Sequence, residues 1–409
     1  MRGQTVSVIV VSRGRGESLG LTLIGLSRLT YAPYEIIVVA DAEGLETVRK
    51  LRLDNRIKTV SFADPNISLA RNFGISIAAG EIVAFIDDDA VPEPTWLTYL
   101  TAPFADVTVS AVGGFVVGRN GISFQWKARS VDYAAREYDL AVDEIRPTVL
   151  TPPAGTAIKT EGTNMALRRS ELTRIGGFDP SYRFFLDDTD LDMRLAKAGG
   201  ITAIAPLAQV HHAFAPSSRR DASRAPKDLF EVGASLSVYL RRHCPENERD
   251  EIVDQFRAGQ KLAQIRHMVA GRLEPRDLKR LRLRLDEGIE AGKIRSLHGL
   301  PALPHSSEGF KPFETEAVKA GVVLTGRSFQ RRSLRAKAAK ITREGATVSL
   351  FLFSPTALFH RVRMTEAGVW EQTGGLWGKS RRSDWMLRAT TFCQRVKREV
   401  SRIALVRGL

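Results

Sequence analysis

Residues Phe85-Ile86-Asp87-Asp88-Asp89 end an apolar, strand-length run with three consecutive carboxylates. Hard oxygens two residues apart, on Asp87 and Asp89, can share one divalent cation, and Mg²⁺ or Mn²⁺ is ordinarily held by one or two carboxylates together with phosphate oxygens. A cation placed there would stabilise a departing diphosphate as a Lewis acid, without proton transfer. The plain alternative is an acidic loop at a strand end. A second acidic group, Asp187-Asp188-Thr189-Asp190, follows Gly176-Gly177-Phe178-Asp179. Crowded carboxylates raise one another's pKa, which suits a general base near neutrality. Acidic residues also favour the first turn of a helix on dipole grounds alone, with Asp187 as its cap. Both readings stay open at this level.

The surrounding pattern alternates strands and helices, which predicts an α/β fold. Residues 6–11 and 35–40 read as buried strands, the second ending at Asp41. Residues 70–79 read as a helix stopped by Gly80, and 82–86 as a third strand. Strands of this parallel type deliver carboxylates to their C-terminal ends, where open α/β sheets place ligands. Residues 125–144 read as a helix, 162–177 as a strand-to-helix element closed by Gly-Gly, and 203–210 as a last strand with His211-His212 at its end. Beyond Arg219 the pattern changes. Residues 227–243 form an amphipathic segment with a basic end, expected to pack its apolar face on the first domain, the alternative being contact with an anionic membrane face. Residues 252–285 are helical and basic, and 299–309 are rich in Pro, Gly and Ser. Residues 321–326, 328–344 and 346–353 read as a β-α-β unit without a phosphate-loop motif. One strand is expected at 362–372 and a terminal helix at 384–405. The division is then 1–219, a basic helical region at 220–298, a linker at 299–320 and a small α/β module at 321–409.

The chain has 409 residues, 43% of them hydrophobic, which is globular composition. Its apolar runs are too short to span a membrane, and Met1-Arg2-Gly3-Gln4 leads into a strand without a signal segment. Two cysteines, Cys244 and Cys393, make neither a disulfide framework nor a metal-ligand spacing. A cytoplasmic setting is expected, with peripheral contact at the inner face of the plasma membrane as an addition. Residues 1–215 hold 22 basic and 25 acidic side chains, a net of −3, whereas 216–409 carry +17, so the chain divides electrostatically near Pro216. No nucleic-acid-binding motif is present, and the carboxylate-rich half would repel phosphates, so no nucleic-acid partner is expected.

Residues 6–218 resemble the family 2 glycosyltransferases of GT-A fold, in the family's motif order. The resemblance runs through Val8-Ile9-Val10-Val11-Ser12-Arg13-Gly14-Arg15, Glu35 to Asp41, Ala70-Arg71-Asn72-Phe73-Gly74, the Asp-x-Asp strand, Gly162-Thr163-Asn164-Met165-Ala166, the Gly-Gly-Phe-Asp segment before Asp187-Asp188, and Val210-His211-His212 with Ser217-Ser218. It implies a mixed sheet flanked by helices, binding a nucleoside-diphosphate sugar with Mn²⁺ or Mg²⁺. Donor contacts would come from Ser12, Arg15, Asp41, Arg71, Asn72, Asp87, Asp88 and Asn164. The metal would sit on Asp87, Asp89 and His212, favoured over His211 by its spacing to Ser217. Asp188 would be the base that takes the acceptor's proton, with Asp187 beside it. By position after His212, Arg219 and Arg220 could fold over the diphosphate as cationic donors or equally begin a solvated linker. The chain departs from the family pattern at Val11-Ser12-Arg13-Gly14, at Ala40-Asp41 and at Asp187, where the family has Glu. It also lacks the Gln-x-x-Arg-Trp signature of processive synthases.

The expected reaction is therefore inverting transfer of a single sugar to a hydroxyl of a glycan or lipid-linked acceptor, in bacterial cell-surface polysaccharide or glycolipid assembly. The alternatives are a sugar nucleotidyltransferase and a catalytically degenerate nucleotide-sugar-binding protein. Trp370, Trp377 and Trp385, interleaved with Lys379, Arg381 and Arg382, could meet sugars or head groups but more often belong to a small core.

Overall fold

The computed structural model describes residues 3–213, 217, 219–297, 299–304, 306, 308–314 and 319–409. Met1, Arg2, Pro216 and Ser218, named above, lie outside the described residues. The first half is built from β1 (Val6–Ser12), α1 (Gly16–Leu26), β2 (Tyr34–Ala40), α2 (Ala42–Lys50), β3 (Lys58–Ser61), α3 (Ile67–Ile77), β4 (Ile82–Asp87), β5 (Ala90–Pro92), α4 (Trp96–Thr101) and β6 (Val109–Val117). It continues with β7 (Phe124–Trp126), β8 (Arg129–Asp132), β9 (Glu137–Asp139), β10 (Thr148–Leu150), β11 (Thr156–Lys159), β12 (Met165–Arg168), α5 (Arg169–Arg174), α6 (Asp187–Lys197) and β13 (Ile201–His212).

The main sheet runs β10-β13-β6-β12-β4-β1-β2-β3, with β5 added to β13 and β7 to β6. Strands β3, β2, β1 and β4 are parallel, while β12 runs antiparallel to both β4 and β6. The continuous apolar runs of β1, β2 and β4 follow from coverage on both faces. Val6, Val8 and Val10 pack with Leu19, Leu23 and Leu26 on one side, and Ile9 packs with Ala70, Ile75 and Phe178 on the other. Because β1, β2 and β4 are parallel, Ser12, Asp41 and Asp87 emerge at one edge of the sheet.

Residues 125–144 are not a helix. They form β7, β8 and β9, and β8 pairs with both β11 and β9. Asp132 makes the turn by accepting hydrogen bonds from the amides of Ala134 and Arg136, with Ala135 at φ 60°. The helix-like spacing of apolar residues was overridden by pairing with a strand some 25 residues downstream, a contact that local periodicity does not report.

After β13, α7 (Phe230–His243), α8 (Arg249–Val269) and α9 (Pro275–Ile294) form a helical layer. The apolar face of α7 is covered: Leu236, Tyr239 and Leu240 share a buried cluster with Tyr182, Leu186 and Met193 of the first domain and with Leu281, Leu285 and Ile289 of α9. Gly288 makes the α7–α9 contact possible, because a Cβ there would lie 1.9 Å from the Phe230 carbonyl oxygen. No helix among the described residues is long and apolar enough to cross a membrane.

The described part of the expected linker is instead a strap on the first domain. The Leu303 amide donates to Thr173 O at 2.9 Å, the Lys311 amide to Glu35 Oε2 at 2.9 Å and the Phe313 amide to Tyr34 O at 2.7 Å. Phe313 stacks on Tyr34 at 5.6 Å between ring centres. The C-terminal module holds β14 (Lys319–Arg327), α10 (Arg331–Arg343), β15 (Ala346–Ser354), β16 (Arg361–Met364), β17 (Trp370–Gly375) and α11 (Phe392–Arg407), in sheet order β14-β15-β17-β16. The single strand expected at 362–372 is the β16–β17 hairpin. The terminal helix begins at Phe392, where Thr391 caps it by accepting from the Gln394 amide.

Candidate active site

The three carboxylates at the end of β4 do different things. Asp88 is buried and turned inward: Ser12 Oγ donates to it at 2.7 Å and Arg15 Nη1 at 2.9 Å, while Thr22 Oγ1 donates to its carbonyl. Burial raises its pKa to about 6 despite Arg15. Asp88 therefore braces the loop after β1. Asp87 and Asp89 converge with His212 instead, and one ligand atom from each lies within 4.8 Å of the others. His212 Nε2 is 3.1 Å from Asp89 Oδ1, and Arg15 Nη1 and Arg220 Nη2 stand 3.5 and 3.6 Å from Asp89 Oδ2. The pairing of β13 with β5 sets this register, His212 opposite Ala90. The neighbouring His211 points elsewhere, its Nε2 2.7 Å from Glu93.

Arg71 links the two acidic groups. Its guanidinium donates to Asp187 and reaches Asp87 at 3.4 Å, and it lies over the Phe178 ring. Burial raises Asp187 to about 6 even with Arg71 beside it. Asp188 shifts the other way. Its burial opposes ionisation, but Lys159, 3.5 Å away, and the Gly162 and Thr189 amides, donating at 3.0 and 2.7 Å, hold it below the usual range. The crowding argument from sequence thus fails for Asp188 and gives the right direction for Asp187, where burial is the larger cause. Just before them, Phe185 and Leu186 both hold positive φ (69° and 62°), a strained entry into α6 of the kind that accumulates at functional sites.

Three expected donor contacts have their hydrogen-bonding groups committed within the protein. Asn72 clamps the main chain of Phe178, donating to its carbonyl at 2.7 Å and accepting from its amide at 2.9 Å. Asn164 is fully buried, donating to Phe115 O and Ala208 O and accepting from Trp96 Nε1. Both therefore hold elements together. Asp41 caps α2 by accepting from the Gly44 amide and pins the loop after β1 by accepting from the Gly14 amide.

Other residues at the site carry no sequence signal. Gln125 meets His212 Nδ1 at 3.3 Å, and the Trp126 ring lies 5.8 Å from the imidazole, both from the segment read as a helix. Lys159 sits amid Asp188, Glu161 and Glu137, and Arg129 pairs with Glu161 and Glu137.

The C-terminal helix meets Glu93, the partner of His211, beside the site. Arg407, buried near the end of α11, grips Glu93 through Nε and Nη2 at 2.8 and 3.1 Å and lies over Trp370. Burial works against the charge of Glu93, but Arg407 and His211 hold its pKa down to about 2. A carboxylate depressed in the folded state stabilises the fold above its unfolded pKa, near 4.5, and loses that contribution as the pH falls toward 2. Arg407→Met, which leaves the Glu93 charge buried with only His211 beside it, should cost about 3–5 kcal/mol by chemical denaturation near neutral pH. A cost within about 0.5 kcal/mol would contradict the pairing.

An acidic strand end facing a second acidic helix start across one mixed sheet is the arrangement of a GT-A domain. The family described as "Glycosyltransferase like family 2" matches residues 3–225. Among curated proteins, the glucosyl-dolichyl phosphate glucuronosyltransferase of Haloferax volcanii is 28% identical over 192 residues, 42% of this chain and 56% of that protein. The pre-mycofactocin glycosyltransferase of Mycobacterium tuberculosis is 31% identical over 147 residues, 35% of this chain and 29% of that protein. The succinoglycan biosynthesis protein ExoM of Rhizobium meliloti is 28% identical over 205 residues, 48% and 62%. The match thus spans about half or less of the first two relatives. A solved mannosyltransferase from Pyrobaculum calidifontis, in complex with GDP-Man and Mn²⁺, superposes with a TM-score of 0.43 at 15% identity, covering 72% of this chain and 88% of that one. The chain belongs to glycosyltransferase family 2.

Proposed function

We propose that the protein transfers one sugar, with inversion, from a nucleoside-diphosphate sugar to an acceptor hydroxyl, using a divalent metal, in cell-surface polysaccharide or glycolipid assembly. The observation that carries this reading is the convergence of Asp87, Asp89 and His212 at the sheet edge, with Arg71 bridging Asp87 to Asp187, the residue next to Asp188. Two hard carboxylates and one imidazole suit Mn²⁺ or Mg²⁺ completed by phosphate oxygens. With the cation bound, the set supplies Lewis-acid stabilisation of a departing diphosphate.

The chain's own residues do the rest. Arg15 and Arg220 add cationic donors on the same side as Asp89. Arg71 fixes Asp187 and Asp87 relative to each other. Asp188, kept ionised by Lys159 and two amides, is available to accept the proton of the attacking hydroxyl. Its lowered pKa makes it a modest base, so the proton moves as the new bond forms and the hydroxyl gains acidity. Titration calorimetry of UDP, GDP and dTDP, with Mn²⁺ or EDTA, tests the reading. One nucleotide should bind only with metal. Absence of binding by all three in Mn²⁺ would remove the support for a metal-assisted donor site.

A further inference from the structure

A cleft of about 650 Å³ lies where the catalytic domain meets the C-terminal module, lined by Arg119, Arg224, Arg361 and Arg382 together with Ser123 and Gln125. Among the described residues no carboxylate lines it. One wall is the loop after β6, docked on β16. Asn120 O accepts from the Val362 amide at 3.0 Å, and Gly121 lies so close that a Cβ would be 2.1 Å from Val362 O. Another wall is the loop after β13. Arg119 Nη1 donates to Ala222 O at 2.9 Å, and Asp221 accepts from the amides of Ser223 and Ala225, which presents Arg224 at φ 70°. That loop also brings Arg220 toward Asp89. One short segment therefore sets one arginine at the metal-type cluster and another in the cleft.

The cleft adjoins the site. Gln125, one of its lining residues, meets His212 at 3.3 Å. From Gln125 the chain runs past Trp126 to Arg129, which pairs with Glu161 in the group around Asp188. Four extended residues span at most about 13 Å, a distance a small glycosyl unit can bridge. On its far side, Arg361 also lines a second cavity of about 740 Å³ at the C-terminal ends of β14 and β15. There Leu352, Leu358 and Phe359 supply apolar wall, with Arg331 and Arg335 beside them. Leu358 and Phe359 are 64% and 62% exposed, unusual for side chains of this size.

Resting on the donor-site reading above, we propose that these two cavities, which share Arg361 in their linings, form the acceptor subsite, the arginine cleft holding a diphosphate and the apolar cavity the hydrocarbon next to it, so that the acceptor is a sugar on a lipid diphosphate. Guanidinium groups recognise phosphate oxygens in bidentate geometry. Burial, then repulsion from Arg220, Arg119 and Arg272, lowers the pKa of Arg224, and a bound dianion would relieve that cost. A concave cleft of this volume admits one head group rather than a lipid surface.

The full chain is tested by calorimetry in EDTA with farnesyl diphosphate and inorganic pyrophosphate. Farnesyl diphosphate should bind at least about 10-fold tighter than pyrophosphate. Arg361→Gln combined with Arg382→Gln should weaken both ligands at least about 10-fold, and Leu358→Ser with Phe359→Ser only the prenyl ligand. All four positions are exposed, so melting temperatures should match wild type, and nucleotide binding in Mn²⁺ should be unchanged. Wild-type affinity in the arginine variant overturns the proposal. So does equal affinity for the two ligands, which marks a simple phosphate site, and so does loss of nucleotide binding in that variant, which moves the cleft into the donor site. Failure of the donor reading shows separately, as no nucleotide binding by the wild type.

Discussion

Asp188→Asn should lower the rate of sugar transfer about 10²–10⁴-fold, the usual worth of a positioned general base, while leaving metal-dependent nucleotide binding near the wild-type value. The substitution keeps the side-chain volume and one oxygen, which can still accept from one of the two amides, Thr189 at Oδ1 or Gly162 at Oδ2. It removes the charge that Lys159 offsets and the lone pair that would take the proton. Asp187→Asn provides the contrast. Asp187 is bound to Arg71, which also reaches Asp87, so its loss should disturb the metal side and weaken nucleotide binding as well as turnover. Single-turnover transfer from a labelled donor, beside calorimetry of the bound nucleotide, separates the two. If Asp188→Asn keeps more than about a tenth of the wild-type rate, Asp188 is not the base, because that loss is smaller than one proton-transfer group provides.

What the sequence disclosed about this site follows a physical boundary. Asp87, Asp89 and Asp188 sit at the ends of strongly patterned elements, and strand ends of a parallel sheet gather at one edge, so order along the chain maps onto proximity in space. His212 adds one step, because antiparallel pairing with β5 decides which of two adjacent histidines turns toward Asp89. Asn72 and Asn164 show the converse. A polar residue in a family motif is as useful for pinning a loop as for touching a ligand, and only the hydrogen-bond partners distinguish the two. Lys159, Arg129 and Gln125 escaped notice because they lie in short strands whose pairing is non-local. The strap formed by the described residues 299–304, 306 and 308–314 escaped for a related reason: Pro, Gly and Ser mark absence of regular structure, which is compatible with an extended segment lying on a surface. Phe313 on Tyr34 and Lys311 on Glu35 were invisible to composition. The basic C-terminal half was legible as elements but not as an assembly. Its contact with the first domain through Arg407, one arginine among many in the sequence, is identified only by the buried Glu93 it meets.

Asp89→Ala should make nucleotide binding indifferent to Mn²⁺, the affinity in metal falling at least about 100-fold, toward the value in EDTA. Loss of a residue that merely orients a ligand already costs 10–100-fold in metal affinity, and Asp89 is placed as a ligand itself. It is buried, faces His212, and draws Arg15 and Arg220 to the same point. Removing it therefore subtracts a charge from the metal and leaves two guanidinium groups nearby, which favour a bare diphosphate. Some metal-independent nucleotide binding should remain for that reason. His211→Ala is the matched control: the ring is committed to Glu93 and Trp370, so the variant should be less stable yet still require Mn²⁺. The free Mn²⁺ signal in electron paramagnetic resonance reads the ion directly, independent of turnover. Unchanged Mn²⁺ uptake in Asp89→Ala would place the ion elsewhere and detach the strand-end carboxylates from the leaving group. Lost uptake in both variants would mean that the β5–β13 pairing is the fragile part, with Glu93 and Arg407 then holding the ligands in register.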